Sequence, residues 1–580
     1  MNDNPFSQRM AIVKEGLPSL WNAIKEQALN SHDDAAVSLE AEEIVQKIEQ
    51  YWTEECHLAI AKGIGDGAWL ELFSKRLLAQ ANNSQGLMII EPNSYRFLRT
   101  LERREIDAAL ASGFVLWCVG QDWERQWNDL NAERRLAGGS NLIAFPVYRH
   151  LPPEELGVYA RIDDFLHETV PLHQKRFQSI YANAQKYYQH PHLPIRRIWM
   201  PIYEQDHATA FVMNGLADGL RSCGAQVKTC RIPVGQYRGA SAEAWSFLGS
   251  QPDAAITTNR TFRSLYGAFG EGLAAPTVLW FTDAPVFGSG DQAISSRDIV
   301  CCFDPYYIPD LSARLGVPVE PLLTAANLLE PAMADPALAC GVSVIASVLS
   351  IEKTLAPLAQ EDRRYVRETA EAKADNRFLD LERMIAETPP PGPLQKNAIS
   401  EVAFLVYKVA NALYRRKAAG KLTSFDLGLW GSSGPWLEGE RDNSPLRRAC
   451  RGFIRDYRQL AAVYRSSRIH VSIHSLNAIS GLNMHVWNAP VQETFLLTEA
   501  LPGIKDLFRI GEEIACFETA DDLPNVVERW LGDEAGRREV AKAGRERVLR
   551  EHTFALRAKQ LLRIMESRLS LMEHSKESAS

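Results

Sequence analysis

The sequence predicts an α/β protein built from doubly wound parallel sheets. Short apolar runs alternate with helical patterns along the 580 residues, as strands and crossover helices do in such sheets. The clearest example lies at 464–523, where apolar runs at 469–473 and 495–498 enclose a polar loop and a helical pattern. Polar residues gather where these strands end, which is where open parallel sheets bind ligands. A chain of this length is expected to form about two to four domains.

Composition and charge argue against several classes of function. The chain is 46% hydrophobic and 23% charged, as ordinary globular proteins are, and its formal net charge is −8. That charge argues against a broad surface for nucleic acid or for anionic membranes. No uncharged apolar run reaches the roughly 20 residues that span a bilayer, and the first residues lack a signal-peptide layout. We therefore expect a cytoplasmic protein without a membrane span.

The cysteines and histidines do not form a metal-binding pattern. The nine cysteines are scattered, and Cys301 and Cys302 are adjacent, which suits neither a mutual disulfide nor a CxxC metal site. Histidines and cysteines nowhere show the spacing of zinc ligands. We therefore expect reduced thiols, no metal site and no cofactor.

Residues 1–192 are predicted to form a Rossmann-like domain. Helical sequence is followed by apolar runs that are typical of strands, at 57–61, 87–90, 114–119 and 142–147. A glycine-rich loop follows the first strand and an acidic residue follows the second, and these residues are Gly63, Gly65, Gly67 and Glu91. The glycines allow a tight turn beside a helix N-terminus, which favours an anion, and the glutamate stands where such folds hold a ribose.

Two interpretations of this glycine loop remain open. In the first, the loop binds a nucleotide or S-adenosylmethionine. Methyltransferases usually carry an acidic residue just before the first glycine, whereas Ala61 and Lys62 stand there in this chain. In the second, the domain is an accessory unit whose glycines serve only the turn, and the missing acidic residue favours this interpretation.

Residues 193–340 are predicted to form a second Rossmann-like unit, after a helix at 163–188 and a proline-rich joint. Its expected strands lie at 197–202, 226–232, 252–258, 276–283 and 299–303. Polar residues at strand ends face a cleft in such units, so Asp283 and His207 are candidates for a general base or an acceptor anchor. Alternatively, Asp283 caps a turn before Pro285, and His207 caps the helix that follows it.

Residues 341–535 are predicted to form a third unit, and 536–580 to form helices that cross back and end in a frayed tail. After helical sequence and a PPPGP break, a strand is expected at 424–429. The loop behind that strand carries Gly431, which lets the backbone approach a ligand, and Ser432, which supplies a hydroxyl group. A plain surface turn is equally consistent with these two residues.

The last third of the chain carries short motifs in the order LN…GLNM…FLLTE…PG…LF…GEEI…DDL, followed by HT…R at 552–557. In order and spacing they resemble the C-terminal half of GT-B glycosyltransferases, and most of all the spore-maturation, CgeB-like group. Trp280, Asp283 and Pro285 are similar to a Trp-x-x-Asp-x-Pro stretch in that group's acceptor domain. The N-terminal layout GIGDG…IIEPN resembles the domain that accompanies Maf-type flagellin-modifying proteins.

The resemblance implies a donor site in the third unit. In the family, the loop after the GLN motif carries an arginine that faces phosphate and a glutamate that faces ribose. His485 and Asn488 stand at those two positions here. A neutral histidine binds phosphate less well than arginine, so this departure indicates an unusual donor, looser binding or lost activity. The other donor-site candidates are Asn483, Thr498, Glu499, Gly431 and Ser432.

We therefore predict a glycosyltransferase that moves a sugar from a nucleotide-activated donor to a hydroxyl group. Its expected fold is GT-B, with two Rossmann-like halves facing a cleft, preceded by an additional Rossmann-like domain. Expected partners are a nucleotide sugar and a protein or glycan acceptor, for example flagellin or a surface polysaccharide, and no nucleic acid. Two alternatives stay open, a catalytically inactive GT-B-like protein that binds a nucleotide sugar or a partner, and a methyltransferase–glycosyltransferase fusion.

Overall fold

The structure is a computed structural model that describes most of the chain. The described residues are 5–24, 37–51, 58–78, 86–134, 142–190, 192–203, 207–232, 246–262, 272–284, 294–295, 297–328, 332–454 and 456–577. Within these ranges Val37–Ser38 (β1) and Tyr148–His150 (β6) pair antiparallel, and the other strands form three parallel sheets. The predicted α/β class is confirmed.

The N-terminal sheet has the strand order β4-β3-β2-β5. Its strands are Leu58–Lys62 (β2), Gly86–Glu91 (β3), Val115–Val119 (β4) and Leu142–Pro146 (β5). The helices of this domain are Pro5–Gly16 (α1), Pro18–Ile24 (α2), Ala41–Tyr51 (α3), Ala68–Arg76 (α4), Ser94–Arg103 (α5), Asp107–Ala111 (α6) and Trp123–Arg134 (α7). Side chains of β2 alternate between two buried clusters, with Ala59 and Ala61 on one face and Leu58 and Ile60 on the other. Each predicted strand is therefore present, and helices cover both faces.

A long helix, Pro153–Tyr187 (α8), joins this domain to the second sheet. Near its start, Tyr159 and Ile162 pack in the core of the N-terminal domain. Near its end, Phe177 and Ile180 pack against the cluster around Trp199 in the second unit. The helix begins earlier than predicted because a proline and two glutamates in its first turn form a favourable helix start.

The second sheet is parallel, with the order β12-β11-β10-β9-β7-β8. Its strands are Arg197–Tyr203 (β7), Gln226–Ile232 (β8), Ala254–Thr258 (β9), Thr277–Phe281 (β10), Asp298–Cys302 (β11) and Val319–Pro321 (β12). The helices of this unit are His207–Ser222 (α9) and Ile308–Leu315 (α10), with a 3₁₀ turn at Pro305–Tyr307. The sequence pattern missed β12, a short edge strand that ends on a proline.

The third sheet is also parallel, with the order β15-β14-β13-β16-β17-β18. Its strands are Cys340–Ile345 (β13), Leu427–Trp430 (β14), Cys450–Gly452 (β15), Ser467–Ser472 (β16), Phe495–Glu499 (β17) and Ala515–Phe517 (β18). The helices are Ile351–Leu355 (α11), Gln360–Asp375 (α12), Leu381–Glu387 (α13), Ile399–Gly420 (α14), Ser433–Trp436 (α15), Pro445–Ala449 (α16), Tyr457–Ser466 (α17), His485–Val491 (α18), Ile504–Leu507 (α19), Leu523–Gly532 (α20), Glu534–Glu551 (α21) and Phe554–Glu577 (α22). Short 3₁₀ turns lie at Pro336–Leu338 and Pro393–Lys396.

The last helix returns to the second sheet. Leu561 and Met565 of α22 are buried in the same cluster as Leu216 of α9. A Cβ added at Gly219 of α9 would lie 2.3 Å from the carbonyl oxygen of Phe554, so the close approach of these helices requires glycine there. The two Rossmann-like halves are thereby tied together, and the predicted GT-B arrangement after an extra Rossmann-like domain is confirmed. No helix in the described ranges combines the length and the apolar character needed to cross a bilayer.

Candidate functional site

The carboxyl edge of the third sheet is where a ligand site is expected. In this sheet β13 comes first along the chain and lies near the centre, β14 lies on one side of it, and β16 lies on the other. The chain therefore reverses its direction of travel across the sheet between β13 and β16, and the loops after them border a crevice. The crevice faces the second sheet, because Ile479 behind β16 contacts Asp304 behind β11 at 2.8 Å.

Arg377, which follows α12, holds one wall of this crevice. Its guanidinium group donates to the carbonyl oxygens of Ser475 at 2.7 Å, Ala478 at 3.1 Å and His474 at 3.3 Å. It also donates to Glu499 Oε1 at 2.6 Å. The loop behind β16 is therefore fixed by one cation that binds three of its carbonyl groups.

Glu499, at the end of β17, is buried and balances the charge of Arg377. Its carboxylate also accepts a hydrogen bond from the backbone N–H of His474 at 2.5 Å and one from the hydroxyl group of Tyr414. Both carboxylate oxygens are thus engaged inside the protein. This predicted donor-site residue lies in the crevice, where it supports the loop.

Arg415, in the last third of α14, adds a second positive charge. Its Nη1 donates to the carbonyl oxygen of Ser347 at 2.6 Å. Its Nε is buried and has no hydrogen-bond partner among the described residues. Burial and the nearby Arg377 lower the pKa of Arg415 to about 10, although Glu499 opposes this shift. The guanidinium group remains charged at neutral pH and is only partly neutralised by the protein.

A group of histidines lies beside these arginines. His474 Nε2 lies 2.9 Å from Thr498 Oγ1, and His485 Nδ1 lies 2.6 Å from the hydroxyl group of Tyr464. His470, in β16, contacts the same tyrosine ring with its own ring centroid 4.8 Å away. Burial lowers the pKa of all three histidines, and for His485 burial and Arg415 lower the pKa to about 4. These imidazoles are therefore neutral at physiological pH.

The neutral histidines make stability depend on pH. An unfolded histidine has a pKa of about 6.5, so between about pH 4 and 6.5 the unfolded chain binds more protons than the folded chain. The free energy of unfolding should therefore fall as the pH is lowered through this range. We expect the variant His485→Gln to reduce this slope, which urea unfolding at several pH values would measure. An unchanged slope would show that His485 carries a proton in the folded protein.

The other predicted donor-site residues behind β16 are engaged within the chain. Asn483 Oδ1 accepts from Ser472 Oγ at 3.1 Å and from the backbone N–H of His485 at 3.0 Å. Asn488 is buried, and its Oδ1 accepts from the backbone N–H of Asn327 at 3.0 Å. Asn483 thus lies beside His485 near the crevice, whereas Asn488 faces the segment that joins the two halves. Thr498 is fully buried behind His474.

The loop behind β14 has a clear packing role. A Cβ at Gly431 would lie 2.3 Å from the carbonyl oxygen of Ala346 and 2.4 Å from Nε1 of Trp436. The glycine is therefore required where the tryptophan packs against the end of β13. Ser432 is exposed on the same loop.

In the second unit, Asp283 follows β10 at the carboxyl edge of the second sheet. It is exposed, and its Oδ2 accepts from Asn259 Nδ2 at 3.3 Å. Trp280 lies in the core, where Nε1 donates to the carbonyl oxygen of Leu322 at 2.8 Å, and Pro285 lies outside the described residues. His207 begins α9, but its side chain lies outside the described part of the chain. Of the two predicted catalytic candidates, the structure thus locates the carboxylate of Asp283.

The glycine loop of the N-terminal domain is occupied by the protein's own side chains. Glu91 Oε2 accepts from the backbone N–H of Ile64 at 3.0 Å and from the hydroxyl group of Tyr148 at 3.1 Å. Its Oε1 accepts from the backbone N–H of Asn93 at 2.9 Å and from the hydroxyl group of Tyr159. The carboxylate thus takes the donors that an anionic ligand would use.

The ring of Tyr148 also packs tightly against the glycine loop. A Cβ at Gly63 would lie 2.3 Å from Cε2 of this ring, and the backbone N–H of Gly65 donates to its hydroxyl group at 3.1 Å. A Cβ at Gly67 would lie 2.3 Å from Cγ2 of Thr100. All three glycines have positive φ angles, so they serve a tightly packed turn. These contacts support the accessory interpretation.

We expect S-adenosylmethionine to leave the melting temperature of the protein unchanged, because Glu91 and Tyr148 close the glycine loop. Differential scanning fluorimetry with millimolar ligand measures this directly. A rise in melting temperature would instead support a cofactor site and the methyltransferase fusion.

Metal ligands are not clustered in the described part of the chain, where no group of three or more histidine, cysteine, aspartate or glutamate side chains is placed to hold an ion. The thiols of Cys301 and Cys302 are buried in β11, which raises their pKa.

Comparison with known proteins supports the predicted class of enzyme. Residues 411–563 match a protein family that is described as glycosyl transferase-like. This segment includes Arg415, His485 and Glu499, and the match confirms the predicted glycosyltransferase class for this part of the chain. No curated protein matches the sequence.

Several solved structures are similar at low identity. Sucrose-phosphate synthase from Thermosynechococcus elongatus is 14% identical, with 66% of this chain and 100% of that chain covered and a TM-score of 0.38. A glycosyltransferase from Rickettsia africae is 10% identical, with 65% and 99% covered and a TM-score of 0.41. Anabaena Alr3699/HepE, solved with UDP-glucose, is 10% identical, with 64% and 99% covered and a TM-score of 0.39. Because these identities and TM-scores are low, the solved structures carry no argument about the site, which rests on this chain's own residues.

Proposed function

We propose that the protein is a CgeB-like GT-B glycosyltransferase that moves a sugar from a nucleotide-activated donor to an acceptor hydroxyl group. The observation that carries this proposal is the crevice between β13 and β16, beside which the positive charges of Arg377 and Arg415 lie close enough to influence each other. Arg415 keeps a buried Nε without a hydrogen-bond partner among the described residues. A nucleoside diphosphate is an anion that guanidinium groups bind through charge-assisted hydrogen bonds, so it fits this site.

The proposed reaction needs charge neutralisation and positioning. The bond between the anomeric carbon and the diphosphate oxygen breaks, and the bond from that carbon to the acceptor oxygen forms. The two arginines would stabilise the negative charge that develops on the leaving diphosphate. The acceptor hydroxyl group must lose its proton, and the exposed carboxylate of Asp283 at the facing edge is our candidate for the base.

We propose that the acceptor is a macromolecule, such as a flagellin-like protein or a surface polysaccharide. We also propose that the transfer takes place in the cytoplasm. The resemblance of the N-terminal domain to those of flagellin-modifying proteins supports the proposed acceptor. A direct test is incorporation of labelled sugar into purified flagellin or capsular polysaccharide.

The donor is the first part of this proposal to test. We expect sugar nucleotides of one base, among UDP, GDP, CMP and dTDP sugars, to raise the melting temperature. A ligand at a hundredfold excess over its dissociation constant stabilises a protein by about 2.7 kcal/mol. The corresponding free sugar, at the same concentration, is the control. If no nucleotide sugar raises the melting temperature, the transferase proposal fails.

A second candidate function is binding of a nucleotide sugar without turnover. It is favoured by His485, which is neutral because its pKa is about 4, and by Asn488, whose Oδ1 is held by Asn327. The variant His485→Arg separates the two functions, because His485 lies beside the crevice whereas Asn488 faces the segment that joins the halves. Sugar transfer to an acceptor that appears only in this variant would indicate a binding protein, whereas transfer by the unaltered protein would establish a transferase.

A further inference from the structure

The loop behind β16 is held from two sides by opposite charges. From its own half, Arg377 binds carbonyl groups between His474 and Ala478. From the other half, Asp304 binds the amide groups that follow. Its Oδ2 accepts from the backbone N–H of Ile479 at 2.8 Å, and its Oδ1 accepts from Ser480 Oγ at 2.5 Å. The cation Arg377 thus binds hydrogen-bond acceptors of this short segment, and the anion Asp304 binds hydrogen-bond donors of the same segment.

Asp304 is committed to this contact. It is fully buried at the end of β11. The backbone N–H of Ser480 lies 3.2 Å from each of its carboxylate oxygens, and the N–H of Tyr306 donates to Oδ1 at 3.1 Å. The carboxylate is therefore satisfied by the loop of the other half and by its own turn. A buried carboxylate that lost these donors would carry a large desolvation cost.

The surfaces around Asp304 are shaped for the same contact. A Cβ at Gly481 would lie 2.6 Å from Cε2 of Phe303 and 2.8 Å from Cβ of Asp304, so only glycine permits this approach. The hydroxyl group of Tyr307 donates to the carbonyl oxygen of Asn477 at 2.6 Å. The two halves therefore meet at this loop in one defined position.

The same loop sets the position of the candidate donor side chains. The backbone N–H of Asn483 lies 3.4 Å from Nδ1 of His474, and Asn483 Oδ1 in turn accepts from the N–H of His485. His474 and Asn483 stand at the two ends of the segment that Arg377 and Asp304 hold. A shift of the segment would therefore move these side chains.

We propose that Asp304 is a positioning residue through which the acceptor half orders the donor site. In this arrangement the donor loop takes its binding geometry only while the two halves are in contact. Donor affinity thus depends on a residue that does not touch the donor. This inference rests on the proposed transferase function, because it assigns the loop to the donor site.

The test compares Asp304→Asn with Ser480→Ala, which removes one hydroxyl hydrogen bond and leaves the carboxylate. The probe is the nucleoside diphosphate of the base that stabilises the unaltered protein, with UDP as the default. We expect Asp304→Asn to raise its dissociation constant about tenfold or more, and Ser480→Ala by about threefold. Asp304→Glu should restore part of the affinity. In turnover assays the KM for the donor should rise more than kcat falls.

Hydrogen exchange provides a second readout that does not require a donor. We expect the amide groups of Ile479 and Ser480 to exchange faster in Asp304→Asn, with the amide groups of β13 unchanged. Faster exchange with unaltered UDP affinity would overturn the proposal, and so would unaltered exchange. If Asp304→Asn fails to fold, the UDP affinity and the amide exchange of Ser480→Ala test the proposal instead. If the unaltered protein binds no nucleotide, the proposed function fails, and exchange still tests whether Asp304 holds the loop.

Discussion

Replacing Arg415 by methionine should weaken binding of the donor nucleotide about 30- to 100-fold while the fold stays intact. Methionine keeps the apolar stem and removes the guanidinium group. A hydrogen bond to a charged group contributes about 1.5–3 kcal/mol, and each 1.4 kcal/mol is a tenfold change in affinity. Stability should change little, because the lost charge is itself desolvated and lies near Arg377. Titration calorimetry with the stabilising nucleoside diphosphate measures the effect.

The neighbouring Arg416 supplies a matched control. Its side chain donates to the carbonyl oxygen of Glu438 and lies 3.6 Å from Glu440, so it is engaged away from the crevice. We expect Arg416→Met to keep the nucleotide affinity of the unaltered protein. If both variants lose affinity equally, α14 as a whole is disturbed, and Arg415 has no specific role in binding.

The strands were predictable because their signal is local. Buried strands of a parallel sheet appear as short apolar runs, and the run predicted at 495–498 falls within β17, whose residues are all buried. The strand predicted at 226–232 has the same bounds as β8, which is a partly exposed edge strand. Residues at strand ends share this advantage. Glu499 was predicted to line the donor site, and it lies beside the crevice because it ends β17, which is the neighbour of β16. The role of Asp304 could not be predicted, since its partners Ile479 and Ser480 lie far away in sequence.

The two arginines could not be assigned to the site from the sequence. Arg377 follows one helix and Arg415 lies in another, and the apolar pattern of a helix does not show which residue near its end reaches a distant crevice. Asn488 illustrates the opposite case. Its position in a motif predicts a ligand contact, whereas its Oδ1 accepts from Asn327 in the segment that joins the halves. Motif spacing does not reveal a partner from a segment without regular structure.

Replacing Glu499 by glutamine should reduce both stability and donor binding. The side chain of Glu499 is 4% exposed and that of Arg377 is 11% exposed, so the pair is largely desolvated. Glutamine leaves the charge of Arg377 without its counter-ion, which costs about 3–5 kcal/mol for a buried pair. Its NH₂ group would also face a donor, either the N–H of His474 or the hydroxyl group of Tyr414. Urea unfolding, monitored together with nucleotide affinity, measures both effects.

Tyr414→Phe is the control for Glu499→Gln, because it removes one neutral donor to the same carboxylate. The loss of this hydrogen bond to a charged group should cost about 1.5–3 kcal/mol, less than the loss of the counter-ion. A loss in Tyr414→Phe as large as that in Glu499→Gln would contradict the role of the ion pair.

The combined variant Arg377→Met and Glu499→Gln separates the effect of this ion pair on stability from its effect on donor affinity. Removing both charges should recover part of the stability that Glu499→Gln loses, because the charge of Arg377 is then no longer left without its counter-ion. Donor affinity should stay low, since the carbonyl groups of His474, Ser475 and Ala478 then lack the cation that holds them. Stability that recovers without affinity would show that this pair serves the geometry of the loop. Recovery of both would mean that the loop keeps its place through the contact with Asp304 alone.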